Sequence, residues 1–269
     1  MSWVTFDHGN SSLKWCLWAE AELGGLISHG RGELSCRAAA AEWAELEAAV
    51  SGRQIEGALY CGVVGAEGAE ETREAWATVA PESSWSEPQA SLSNECESPE
   101  LVGRDRLMAA LGAYTKLKAE VIIVDAGTAL TVDALKLRGA GEAPSFLGGA
   151  IAPGPAALAA ALGDAGAQLF EIAASPEASA LGRSTEASLA AGVGVGFAGA
   201  AARLVQEVSQ EAGLEEAPVV ITGGARNFLS RPGLFGAREL RVYTDLVHGG
   251  LLAAANVDCE LEEEMWGSA

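Results

Sequence analysis

The chain has 269 residues, 49% of them hydrophobic and 20% charged, which is enough apolar material for a sizeable core and enough length for two domains. Lys and Arg number 17 against 37 Asp and Glu, a net charge of −20. Such acidity argues against sequence-independent binding to nucleic acid or to an anionic membrane, and an anionic substrate must be held by a local site against the global field. The cysteines, Cys16, Cys36, Cys61, Cys96 and Cys259, are odd in number and form no CxxC. That fits a reducing compartment and argues against a disulfide framework or a zinc site.

The N-terminus has no basic region followed by an apolar stretch, so no secretory leader is expected and the cytoplasm is the default location. Residues 1–18 read as a β-hairpin, with alternating apolar positions on either side of Gly9-Asn10. Residues 37–50 suit a helix that puts Trp43, Leu46 and Val50 on one face. A buried strand over 55–64, a helix over 69–79, a Pro-, Ser- and Glu-rich loop with a short strand over 81–99, and a helix over 102–118 entered through Gly103 follow. Residues 119–135, "AEVIIVDAGTALTVDAL", then read as strand, turn and strand. After "FLGGAIAPG" come a helix to about 162, a loop to Pro176, a long small-residue helix over 185–212, a strand over 218–224 and a last helix from about 245. The alanine-rich run 155–162 is too short and too weakly apolar to span a bilayer.

Two of these stretches share one logic. "TFDHGNSSLKWCLW" and "IVDAGTALTVDAL" each run strand, Asp, any residue, Gly, small polar residues, strand. The repeat predicts two related domains, 1–118 and 119–269, each opening on the same hairpin. An Asp-x-Gly turn with hydroxyl residues has a chemical use. Gly lets the backbone approach a phosphate, and successive N–H and hydroxyl groups line an anion-binding concavity. A nearby carboxylate can hold a hydrated Mg²⁺ or another cation. A single such turn reads equally well as an Asx-capped loop; two of them, with the late "TGG" after a strand, favour phosphate-binding turns.

The motifs together resemble the actin-like ATPase superfamily and, within it, the type III pantothenate kinases, including the Bvg accessory factor proteins. The matching pieces span nearly the whole chain: "DHGNSSLK" (7–14), "GRDR" (103–106), "DAGTALTVD" (125–133), "GGAIAPG" (148–154), "LGRST" (181–185), "ITGG" (221–224) and "DLVHGGL" (245–251). The resemblance implies an α/β fold of two related actin-like ATPase (ribonuclease H-like) domains with mixed sheets flanked by helices. It implies ATP-dependent phosphorylation of pantothenate, Mg²⁺ and a monovalent cation (K⁺ or NH₄⁺) as cofactors, and a homodimer.

Residue by residue, Asp7, Gly9, Asn10, Ser11, Ser12 and Lys14 match the first ATP motif, with Asp7 a weaker candidate for Mg²⁺ and Ser11 standing where Thr is common. Thr128 matches an ATP contact and Asp125 a monovalent-cation ligand. Asp105 matches the proton acceptor; Gly103, Arg104, Arg106 and Thr185 match positions on the pantothenate side, where Arg106 is suited to hold a carboxylate by a two-pronged charged pair. Cys96 aligns with a Tyr usual in the family, so the fine shape of that pocket departs from the pattern. His8, between Asp7 and Gly9, has no role by resemblance and reads as a structural or exposed residue.

Two further features take the bland reading. "GVGFAG" (194–199) fits GxGxxG, but it lies inside a small-residue helix and not after a strand. The acidic tail "CELEEEM" (259–265) reads as a solvated helix end. Two other functions stay open at this point: a small-molecule kinase of the same superfamily with a different acceptor, and a non-catalytic nucleotide-binding regulatory paralogue.

Overall fold

The computed structural model describes residues 2–20, 26–35, 40–139, 141–164 and 172–266. Cys36, residues 37–39 of the first expected helix and part of the loop expected before Pro176 lie outside the described residues. In chain order the elements are β1 (Ser2–His8), β2 (Ser12–Glu20), β3 (Leu26–Ser35), α1 (Ala44–Val50), β4 (Ile55–Gly62), α2 (Gly65–Val79), β5 (Ser84–Ser86), β6 (Ser93–Asn94) and α3 (Arg104–Leu117). Then come β7 (Val121–Ala126), β8 (Ala129–Lys136), β9 (Ser145–Pro153), α4 (Pro155–Asp164), α5 (Thr185–Ala212), β10 (Val219–Thr222), β11 (Leu240–Val242) and α6 (Leu246–Ala254). A 3-10 turn, Ala40–Trp43, leads into α1.

The chain forms two compact units, one of Met1–Lys118, Gly141–Pro144 and Asp245–Glu262, the other of Ala119–Ala140, Ser145–Thr244 and Glu263–Ala269. The first unit therefore includes α6 from the C-terminal end of the chain. Its sheet has the order β3-β2-β1-β4-β5, with β1–β2 and β2–β3 antiparallel and β1–β4 and β4–β5 parallel. In the second unit β9-β8-β7-β10-β11 has the same order and the same alternation: β7–β8 and β8–β9 antiparallel, β7–β10 and β10–β11 parallel. The repeat seen in two short sequence stretches is thus a repeat of whole sheets.

The central strands are buried on both faces, and alternate residues serve opposite sides of each sheet. In the first unit Val4, Phe6, Trp15, Leu17 and Tyr60 turn inward against Trp43 just before α1, Leu46 of α1 and Trp76 of α2. Phe6 lies 5.5 Å from Trp76, edge to face, and 5.9 Å from Trp43. Fully burying a side chain of this kind stabilises by ~1.5–3 kcal/mol. In the second unit Ile122, Val124, Leu130, Val132, Val219 and Ile221 meet Phe197, Ala201 and Val205 of α5. By length and composition α5 could cross a membrane; in the fold its apolar face lies in this core. Its Gly194–Gly199 run is continuous helix, as the reading of the GxGxxG decoy requires.

Helices α3 and α6 touch backbone to backbone. A side chain at Gly112 would strike the Leu246 carbonyl oxygen, and one at Gly250 the Met108 carbonyl. Only hydrogen at Cα permits this approach.

The acidic tail is not a helix end. Glu260 N–H donates to the Leu26 carbonyl (2.8 Å) and Glu264 N–H to the Val242 carbonyl (2.8 Å), so the segment runs extended. Its carboxylates are taken up by arginines far away in sequence: Glu262 by Arg31 (2.7 Å), Glu263 by Arg241 (3.1 Å) and Glu264 by Arg226 (2.6 Å). These pairings override helix propensity, and nothing within the segment itself encodes them.

Candidate active site

The first hairpin ends where β1 and β4 both end, and ligands of open α/β sheets gather outside the carboxyl ends of parallel strands. Asp7 stands opposite Lys14 on β2 and opposite Cys61 on β4. Gly9 N–H donates to the Ser12 carbonyl (2.9 Å) and closes the turn, leaving Asn10 and Ser11 exposed and Ser12 and Lys14 half-buried. The second hairpin is built alike but one residue tighter. Gly127 N–H donates to the Ala129 carbonyl (2.9 Å), and Asp125 stands opposite Thr131 on β8 and Thr222 on β10.

Asp105 lies in the first turn of α3, where a carboxylate suits the helix dipole. Its Oδ1 accepts the Arg106 N–H at 2.8 Å and folds back over Gly103. A side chain at position 103 would collide with that oxygen, so the glycine sets where the carboxylate sits. Asp105 and Asp7 belong to one neighbourhood. Burial pushes the Cys61 thiol well above its ordinary pKa, and the Asp7 and Asp105 carboxylates push it further.

Arg104 and Arg106 share the half-buried first turn of α3, but Arg104 is already engaged. Its Nη1 donates to Glu87 (2.9 Å) and its Nη2 to the Pro88 carbonyl (3.0 Å), tying the loop after β5 to the start of the helix. Cys96 sits half-buried just after β6, its N–H donating to Asn94 Oδ1 (3.1 Å), while Asn94 Nδ2 donates to the Pro99 carbonyl (3.2 Å).

In the second unit the motifs "DAGT", "APG" and "TGG" converge. Gly154 N–H donates to the Thr128 carbonyl (3.0 Å) and Ala225 N–H to the Ala126 carbonyl (2.7 Å). Gly223 has φ +95°, a conformation glycine adopts without strain, and Asp125 Oδ1 lies directly over it. Thr128 is exposed at the hairpin tip. Thr185 is exposed at the start of α5, a terminus capped by Ser184, whose Oγ accepts the Ala187 N–H at 3.1 Å.

Among the described residues no group of three or more His, Cys, Asp or Glu side chains gathers to form a metal cage. One carboxylate per hairpin suits a cation that takes its other oxygens from water and phosphate, as Mg²⁺ at nucleotides does.

The family model for type III pantothenate kinase matches residues 3–207. The chain belongs to the type III pantothenate kinase family. It is 32% identical to a type III pantothenate kinase of Acidovorax ebreus over 95% of this chain and 96% of that one. A relative of the same name from Polaromonas is 32% identical over 95% of this chain and 98% of its own length. One from Thermus thermophilus is 40% identical over 48% of this chain and 49% of its own. Among solved structures, a protein described as a Baf family transcriptional activator from Campylobacter jejuni superposes with a TM-score of 0.55 at 17% identity, covering 94% of this chain and 97% of that one. The activator of 2-hydroxyisocaproyl-CoA dehydratase from Clostridium difficile, with bound ADPNP, gives 0.53 at 13% identity over 96% and 94%. The fold is the actin-like ATPase fold with mixed sheets and flanking helices, and family membership makes the protein a kinase.

Residues such as Glu87, Asn94 and Cys61 escaped the sequence reading. Each belongs to the site's surroundings only through folding, and none lies in a motif.

Proposed function

We propose that this kinase transfers the γ-phosphoryl group of ATP to the 4′-hydroxyl of pantothenate, giving 4′-phosphopantothenate, the first step of coenzyme A biosynthesis. The observation that carries the reading is Asp105. It stands in the first turn of α3, shaped by Gly103, near Asp7 of a glycine-containing hairpin whose counterpart recurs in the second unit. Phosphoryl transfer needs position and charge more than covalent chemistry. Gly9, Asn10, Ser11, Ser12 and Lys14 would hold the phosphates from the first hairpin, and Thr128 would contact ATP from the second. Asp105 Oδ1 accepts the Arg106 N–H, which fixes the carboxylate, and the carboxylate would take the proton of the attacking hydroxyl.

Arg106 would orient the pantothenate carboxylate, with Gly103, Arg104, Cys96 and Thr185 shaping the acceptor side. Asp7 would bear on Mg²⁺ and Asp125 on a monovalent cation, K⁺ or NH₄⁺; such cations, when bound, offset the negative charge of the phosphates. We further propose a homodimer working in the cytoplasm, with domains that follow the repeat near Lys118.

The test is ATP turnover against pantothenate and a panel of other alcohols, alongside Asp105→Asn. The expected result is turnover with pantothenate and a loss of ~10²–10⁴-fold in kcat for the variant with nucleotide binding retained. Turnover with another alcohol and none with pantothenate would overturn the acceptor, and Cys96 in the place of Tyr would be the residue to examine first. Undiminished activity in Asp105→Asn would overturn the base.

A further inference from the structure

His8 sits between Asp7 and Gly9, and neither the motif nor the proposed chemistry uses it. The fold buries it: His8 is 3% exposed, Tyr60 1% and Thr72 4%. Its Nδ1 lies 3.0 Å from the Tyr60 hydroxyl and 3.3 Å from Thr72 Oγ1. The Thr72 hydroxyl hydrogen is committed to the Gly68 carbonyl at 2.8 Å, so toward the ring it can only accept. Nδ1 thus faces two buried hydroxyl oxygens, one on β4 and one on α2.

The backbone of the same residue is fixed as well. The His8 carbonyl accepts the Val63 N–H at 3.0 Å, continuing the β1–β4 pairing one step beyond Gly62. The surroundings are cut to fit: a side chain at Gly62 would strike the Tyr60 hydroxyl, and the Tyr60 ring meets the His8 ring edge to face at 6.0 Å. Beyond His8 the chain turns out to the exposed Asn10 and Ser11. His8 is thus the last residue held on both backbone and side chain before the turn.

We propose that His8 is a positioning residue for nucleotide binding. By anchoring β1 to β4 through Tyr60 and to α2 through Thr72, it sets the direction in which the Gly9–Ser12 turn presents its N–H and hydroxyl groups to phosphate. The inference rests on the reading of that turn as a phosphate holder, and it predicts an effect on ATP that is not shared by the acceptor. An imidazole is used because a hydrogen-bonding group is needed at Nδ1 in a buried place, facing the Tyr60 and Thr72 hydroxyls. Asn can supply a hydrogen-bonding group at nearly the same position, and Leu cannot.

The experiment compares wild type, His8→Leu, His8→Asn and Thr72→Val. It measures calorimetric binding of a non-hydrolysable ATP analogue, KM for ATP and for pantothenate, and thermal stability. His8→Leu should weaken analogue binding and raise KM for ATP about ten-fold, the scale of one or two buried hydrogen bonds, with KM for pantothenate unchanged. His8→Asn should restore both to within about two-fold, and Thr72→Val, should His8→Leu fail to fold, should give a loss of about three-fold. Unchanged analogue binding in the folded variants, an equal rise in both KM values, or no rescue by Asn would overturn the proposal and leave His8 a purely structural residue. Because the analogue needs no acceptor, wild type that binds it without phosphorylating pantothenate would count against the proposed function alone.

Discussion

Replacing His248 by Gln should remove much of the protein's sensitivity to mild acid. His248 lies on α6, 5% exposed, with Nδ1 2.8 Å from Thr5 Oγ1, which also accepts the Trp18 indole N–H at 2.8 Å. Burial lowers its pKa to about 3, with Lys14 and Arg31 adding to the effect. The unfolded chain takes up that proton near pH 6.5. Between these values the unfolded state binds more protons than the folded one, so this contribution is complete above pH 6.5 and is lost as pH falls towards 3. The slope is at most about 1.4 kcal/mol per pH unit, which makes the cost at pH 5 about 2 kcal/mol. Urea denaturation at pH 7, 6 and 5 would measure it. The difference between wild type and His248→Gln should shift by that amount, since the carboxylates common to both cancel. Parallel pH dependences in the two proteins would refute a buried, neutral His248.

Gly103→Ala should place a methyl group against Asp105 Oδ1, and a displaced base should lower kcat by about 10²-fold with little change in melting temperature; an unchanged kcat would show that the glycine does not set the carboxylate. Gly112→Val should press its methyls into the Leu246 carbonyl and cost about 1–3 kcal/mol by urea denaturation, with an unchanged midpoint counting against the close contact of α3 and α6.

Much of the fold was legible because it is locally encoded. The first hairpin announces itself by alternation, the strand over 55–64 and the second hairpin by apolar runs, and the long helix over 185–212 by its small residues; β1–β2, β4, β7–β8 and α5 lie there. β3, β9 and β11 lie outside the strands the sequence predicts. In β3 glycines stand where the inward face would carry apolar side chains, because Trp15 lies over Gly30 and Gly32, so the apolar half of the alternation is missing. β11 is short and gains its order from β10 beside it. The acidic tail misled because charge runs resemble solvated helix, whereas the partners that hold it extended are arginines distant in sequence.

The sequence by itself determined the chemistry available: two Asp-x-Gly turns, a GRDR helix start and the acidic surface, all properties of residue type and short spacing. Only the tertiary structure decided how those residues are constrained. It showed that both units share one strand order, that Arg104 is spent on Glu87 and Pro88, and that His8 is a buried anchor. Contacts of this kind join positions tens of residues apart. Burial and the cost of leaving buried polar groups unpaired select the partners, and a short motif contains no record of that selection.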